Sequence, residues 1–224
     1  FLAVMMVLTM APVAFAADGV EPTDGTGFSE AAPAETLQAK IKVAAENDGT
    51  VTLDKDYTED ITIQQGQNIT LNLNGKKLTN KTGHTITVEQ GATLTIEGNG
   101  TVDNVTNSKT TVYNKGTVVL NGGTYTRSLE DGVDANNAGT NTSYTVLNHG
   151  KMTINGGVTI ENKGHYSSML ENGYYDGYAA SLDGVQKPEM VINGGTFDGG
   201  LNTVKNDDNA TLTINDGSFS NYTQ

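Results

Sequence analysis

Cysteine and tryptophan are both absent from the 224 residues. Without thiols there is no disulfide framework and no thiolate metal site, so stability must come from core burial and hydrogen bonding. Aromatic residues are scarce, at 6%. Positive charge is also scarce: 13 Lys and Arg face 26 Asp and Glu, for a net charge of −13. Such a field repels DNA, RNA and anionic lipid, which argues against nucleic-acid partners and keeps an exported protein soluble. It also repels polyanionic sugars such as pectate unless calcium bridges them. The 27 glycines are too few for collagen. What is abundant is Asn, Thr and Gly, a composition suited to strands and turns rather than helices. The length suits one domain or a modest part of a larger protein.

Long apolar runs are confined to the front. Residues 1–16, FLAVMMVLTMAPVAFA, carry no charge, and Ala14-Phe15-Ala16 fits a small-x-small cleavage pattern. The stretch is short of the roughly 20 apolar residues a membrane span needs. It reads as the hydrophobic and cleavage parts of a secretory signal peptide, clipped of its initiator Met and basic start. The expected product is secreted or displayed at the cell surface, with no membrane insertion after signal removal. Residues 17–33 are rich in Gly, Pro and acid and read as a linker. In residues 34–47, Leu37, Ile41 and Ala44 share one helical face and Asn47-Asp48-Gly49 is a stop signal, predicting a short amphipathic helix.

From residue 48 the period changes to two, and the chain repeats. Aliphatic anchors before a polar turn residue fall at Leu71, Ile96, Leu120, Ile154, Ile192 and Ile214, each with another aliphatic two residues earlier. Four turns are close variants: NGGT at 121–124, NGGV at 155–158, NGGT at 193–196 and NDGS at 215–218. Downstream apolar positions recur at Val102, Tyr125, Ile160, Phe197 and Phe219, and a third set is expected at Ile63, Val88, Val112, Val146 and Val204. Each repeat thus offers three short strands that cannot bury their apolar side chains alone. Stacking them in parallel pairs the backbones and lines a common interior. The predicted fold is all-β, a right-handed parallel β-helix of three-strand coils over residues 48–224, with the helix at 34–47 capping its N-terminal end. The turn asparagines are expected to form a column, broken at Glu97. No capping pattern precedes Gln224, so further coils or a cap are expected beyond it.

Two insertions lengthen the repeats, at 128–143 and 165–187, and both are expected to follow the second strand of their coils and project side by side. The second is rich in Tyr166, Tyr174, Tyr175 and Tyr178, with Glu171, Asp176 and Asp183. Aromatic faces beside carboxylates suit a neutral sugar or a partner protein, or simply hold the loop against the helix flank. The first insertion carries Glu130, Asp131 and Asp134 after Arg127, the only arginine. These residues form either part of a site or a surface ion pair. The ligand-binding candidates are therefore Tyr166, Tyr174, Tyr175, Asp176, Tyr178, Glu130, Asp131 and Asp134.

The segment TLQAKIKVAAENDGTVTLDKDYTEDITI (36–63) and the recurrent T-L-T-I-x-G-G-T-F turns resemble the pectin-lyase-like superfamily, nearest to the pectate-lyase-like adhesive domains of bacterial surface proteins. The resemblance covers residues 34–224. It implies a helix-capped right-handed β-helix and a choice between adhesion or glycan binding, polysaccharide cleavage, and a spacer role. Lyases of that superfamily hold calcium on clustered carboxylates and abstract a proton with Arg or Lys, and galacturonases of the fold use several aspartates with G-H-G and R-I-K motifs. Here Asn148-His149-Gly150 is present without clustered strand aspartates or R-I-K. His149, His84 and His165 are expected in exposed turns. The reading is non-catalytic: no catalytic residues, no metal site, no resident cofactor, and at most a weak calcium site at Asp131 and Asp134 or Asp207-Asp208. The partner is expected to be a glycan or a surface protein of a host or neighbouring cell.

Overall fold

Alternating apolar residues in strands of two to five, separated by Gly and Asn turns, build seven successive coils among the described residues. The computed structural model describes residues 35–128, 143–162, 168–174, 179 and 184–221. The first coil holds β1 (Thr50–Thr52), β2 (Tyr57–Thr58) and β3 (Ile61–Ile63), and the second β4 (Asn68–Asn72), β5 (Lys77–Thr79) and β6 (Ile86–Val88). β7 (Thr93–Glu97), β8 (Thr101–Asp103) and β9 (Val112–Asn114) form the third, and β10 (Thr117–Leu120), β11 (Gly123–Thr126) and β12 (Val146–Asn148) the fourth. The fifth has β13 (Lys151–Ile154), β14 (Val158–Asn162) and β15 (Leu170–Asn172), and the sixth β16 (Glu189–Ile192), β17 (Thr196–Gly199) and β18 (Val204–Asn206). The seventh contributes β19 (Thr211–Ile214) and β20 (Ser218–Ser220).

Equivalent strands pair in parallel into three sheets: A (β1-β4-β7-β10-β13-β16-β19), B (β2-β5-β8-β11-β14-β17-β20) and C (β3-β6-β9-β12-β15-β18). This is a right-handed parallel β-helix. In sheet A, Leu71, Ile96, Leu120, Ile154, Ile192 and Ile214 lie in register. Leu120, Ile154 and Ile192 are fully buried. Sheet B stacks Leu78, Val102, Tyr125, Ile160, Phe197 and Phe219. Phe197 and Phe219 have parallel rings 4.7 Å apart. In the seventh coil Ile214 and Phe219 are 48% and 40% exposed.

The opposite end is closed by α1 (Leu37–Ala45). Leu37, Ile41 and Ala44 face the first coils and are buried. Thr36 Oγ1 accepts from the Ala39 amide at 3.1 Å. The Glu59 carboxylate accepts from the Leu37 and Gln38 amides at 2.9 and 3.2 Å. A side chain of the first coil thus occupies the positive end of the helix dipole.

The corner between sheets A and B repeats the Asn-Gly turn. Gly195 has φ +112°, and a Cβ there would lie 2.9 Å from the Val158 carbonyl, so the coils stack closely only with glycine. The Nδ2 atoms of Asn155, Asn193 and Asn215 donate to Asn121, Asn155 and Asn193 at 2.7, 2.9 and 2.7 Å, forming an exposed amide ladder. At Glu97 the amide sequence is interrupted, and Asn72 donates to its carboxylate at 3.2 Å.

Sheet C differs from the sequence expectation in register. The column runs Ile61, Ile86, Val112, Val146, Leu170 and Val204. Ile63 and Val88 belong instead to a neighbouring column that continues as Asn114, Asn148, Asn172 and Asn206. These amides bond along the interior edge, each Nδ2 to the next Oδ1 at 2.7 Å. Asn114 Oδ1 also accepts from the Gly116 amide at 2.9 Å. The aliphatic column ends where an amide holds the turn more effectively, because it satisfies turn groups that would otherwise be buried without partners.

The expected second loop is also revised, because β15 lies inside residues 165–187. Its Leu170 and Asn172 point inward while Glu171 faces out, a short alternation easily missed among polar and aromatic neighbours. The first insertion therefore joins sheet B to sheet C in the fourth coil. The second is divided by β15: its first part follows the second strand as expected, on the sheet B to sheet C connection of the fifth coil, and its longer part connects sheet C to sheet A.

Candidate ligand-binding cleft

The outer edge of sheet C carries the most chemistry. After β6, β9 and β12, the next residue in register is Glu89, Lys115 and His149. Their amides continue the ladder, with Lys115 N to Val88 O at 2.8 Å and His149 N to Asn114 O at 2.7 Å. After β15 the same place is taken by Gly173, whose amide bonds Asn148 O at 2.9 Å. Gly173 has φ +119°, and a Cβ there would approach Asp207 Cβ at 3.0 Å and Ala210 Cβ at 3.1 Å. With no side chain at that step, Tyr174 lies on His149, rings stacked at 4.0 Å and 26°. His149 meets Tyr113 at 5.3 Å and 83°, and Tyr113 meets His84 at 4.9 Å and 44°. Four rings from four successive coils thus form a continuous row.

Polar groups flank the row. Tyr113 Oη and His149 Nδ1 share a hydrogen bond of 3.2 Å. Lys115 Nζ sits 2.6 Å from the Glu89 carboxylate and 5.4 Å from the Tyr113 ring centre. The Thr110 amide donates to His84 Nδ1 at 3.0 Å. Burial, with the nearby Lys109 charge, lowers the His84 pKa to about 4, so this ring is neutral at physiological pH. Burial raises the Tyr113 and Tyr174 phenols, which stay protonated and able to donate. Glu89, Gln90, Tyr113, Lys115, His149, Tyr174 and residues 184–186 line a cleft of about 350 Å³. Such a volume lies at the small end of ligand sites.

Next to this row, Glu171 projects from the outer face of β15 yet is fully buried. Its Oε1 lies 3.6 Å from Lys205 Nζ, which also holds Asp207 at 2.7 Å. Burial first, and Asp207 second, push the Glu171 carboxyl up to about 8 against the pull of Lys205.

Of the sequence candidates, Tyr174 is in the cleft. Glu130, Asp131, Asp134, Tyr166, Tyr175, Asp176 and Tyr178 lie outside the described residues. Two expectations are corrected. Arg127 is not a surface residue: it is fully buried, donating through Nη1 to the Ser143 carbonyl at 2.5 Å and through Nη2 to the Thr106 carbonyl at 3.3 Å. A buried cation bonded to these two main-chain carbonyls ties the sheet B to sheet C corner together. His149 and His84 are likewise not free turn residues, since both are half-buried in the ring row. Tyr113 and Lys115 were not singled out from sequence. The available signal was an aromatic at the outward position of β9, where the neighbouring strands carry Thr87 and Leu147.

Among the described residues, no group of three or more His, Asp or Glu is placed to hold a metal ion. The chain matches no family model, no curated protein and no solved structure.

Proposed function

We propose that this chain is a non-catalytic β-helix module, secreted or displayed at a cell surface, that binds carbohydrate through the outer edge of sheet C. The observation that carries the reading is the row Tyr113–His149–Tyr174, backed by His84 against Tyr113, bordering a 350 Å³ cleft with amide, phenol and ammonium groups at its rim. Rigid aromatic groups beside hydrogen-bonding groups suit the alternating C–H and hydroxyl surface of a sugar. Export is supported by the uncharged start of the chain, and adhesion by its resemblance to pectate-lyase-like adhesive domains. The net charge of −13 disfavours nucleic acid as a partner.

The test is a glycan array probed with the wild-type chain and with Tyr113→Ala and Tyr174→Ala. Binding of at least one glycan class by the wild type, and its loss in both variants while their melting curves stay cooperative, is the expected result. An empty wild-type array, or binding unaffected by both variants, refutes the assignment.

A further inference from the structure

The electrostatics and the direction of the cleft narrow the ligand. Its described charged groups are Glu89 and Lys115, and these neutralise each other across 2.6 Å. No cation in that pair is left over to meet a carboxylate or sulfate, and the chain's overall negative field opposes one. The lining residues come from consecutive coils, each one strand further along the axis. Glu89, Lys115, His149 and Tyr174 follow β6, β9, β12 and β15. With parallel strands ~4.8 Å apart, these three steps extend over roughly 14 Å, so the recognition groups repeat along one line. A branched or globular ligand would use one or two of these steps. A linear one uses them all.

We propose that the cleft takes an uncharged, linear oligosaccharide lying along the helix axis across about three coil steps. This inference rests on the carbohydrate-binding reading above and adds the charge class, the direction and the length of the ligand. Amide and phenol groups at successive steps, with the Glu89–Lys115 pair, meet hydroxyls on successive sugar units. A uronate chain would place an unpaired carboxylate beside Glu89.

Titration calorimetry at about pH 8, where imidazoles are ordinarily neutral, separates the possibilities. The probes are xylo-, cello- and manno-oligosaccharides of one to six units, with oligogalacturonates of the same lengths. For at least one neutral series, affinity is expected to rise about tenfold or more between one unit and three, then level off. Oligogalacturonates are expected to bind at least about tenfold more weakly than that series. Gln90 is exposed at the rim, and Gln90→Trp, which blocks the cleft without touching the core, should weaken the neutral ligand by at least about tenfold with an unchanged melting temperature. Equal or better binding of oligogalacturonate, an affinity independent of length, or an indifferent Gln90→Trp variant overturns the inference and leaves the broader carbohydrate reading standing. A chain that binds no saccharide here or on the array overturns both.

Discussion

Asn148 shows how much a single side chain does in a repeating fold. Its Nδ2 donates to Asn172 Oδ1, Gly150 O and Glu189 O, and its Oδ1 accepts from Asn114. Asn148→Asp would face a buried carboxylate with three oxygens, and a loss of about 3–5 kcal/mol is expected in urea unfolding. Asn148→Leu leaves the same partners unsatisfied and should also destabilise. Ile192→Asp buries a charge between Ile154 and Ile214 and should cost several kcal/mol, on the order of a third or more of a typical domain's stability. Glu171 makes a pH prediction. Its carboxyl titrates near 8 in the folded chain, above its ordinary value of 4.5. Between those values the folded chain keeps a proton that the unfolded chain has lost, so this group's contribution is full below the window and declines as pH rises through it. In melts across pH 5 to 8, Glu171→Gln should show a smaller decline than the wild type; matching slopes would exclude the assignment.

At the level of elements, α1 was legible because Leu37, Ile41 and Ala44 keep a helical period and Asn-Asp-Gly ends it. Its anchoring by Glu59 was not, since that contact joins residues about two strands apart in the chain. Glu59→Ala removes both carboxylate bonds to the first helical turn and should cost about 1 kcal/mol by chemical denaturation, as the loss of an N-cap does. Sheets A and B were legible nearly residue by residue because their turns share one Asn-Gly grammar. Sheet C was not, for two reasons. Its interior edge changes from Ile63 and Val88 to asparagines, so an apolar search starts in that column and crosses into the one that holds Val112, Val146 and Val204. Its fifth strand, Leu170–Asn172, is only three residues long and flanked by the most irregular sequence in the chain. The cleft inherits that difficulty: Tyr174 was recognisable as an aromatic in an insertion, but its partners come from other coils and meet only once the coils are stacked.

For the molecule as a whole, each coil touches chiefly the coils before and after it. Stability is then a sum of coil and interface contributions, and opening proceeds from the least covered end. The seventh coil exposes Ile214 and Phe219, whereas their counterparts Ile192 and Phe197 are fully buried. In a chain that ends at residue 224, amide hydrogen exchange should therefore be fastest in β18–β20 and slow through β7–β16 and under α1. Uniform protection along the axis would show a single cooperative unit instead.

The interior amide ladder also bears on force. Strands joined side by side resist sliding as a group but yield singly when pulled away from the edge. A tether drawing the last strand outward meets one wrap's hydrogen bonds at a time, and each wrap it frees hands the load to the next. A sawtooth of modest, near-equal peaks follows, with spacing set by wrap length and with the longer wraps of the fourth and fifth coils releasing the most slack.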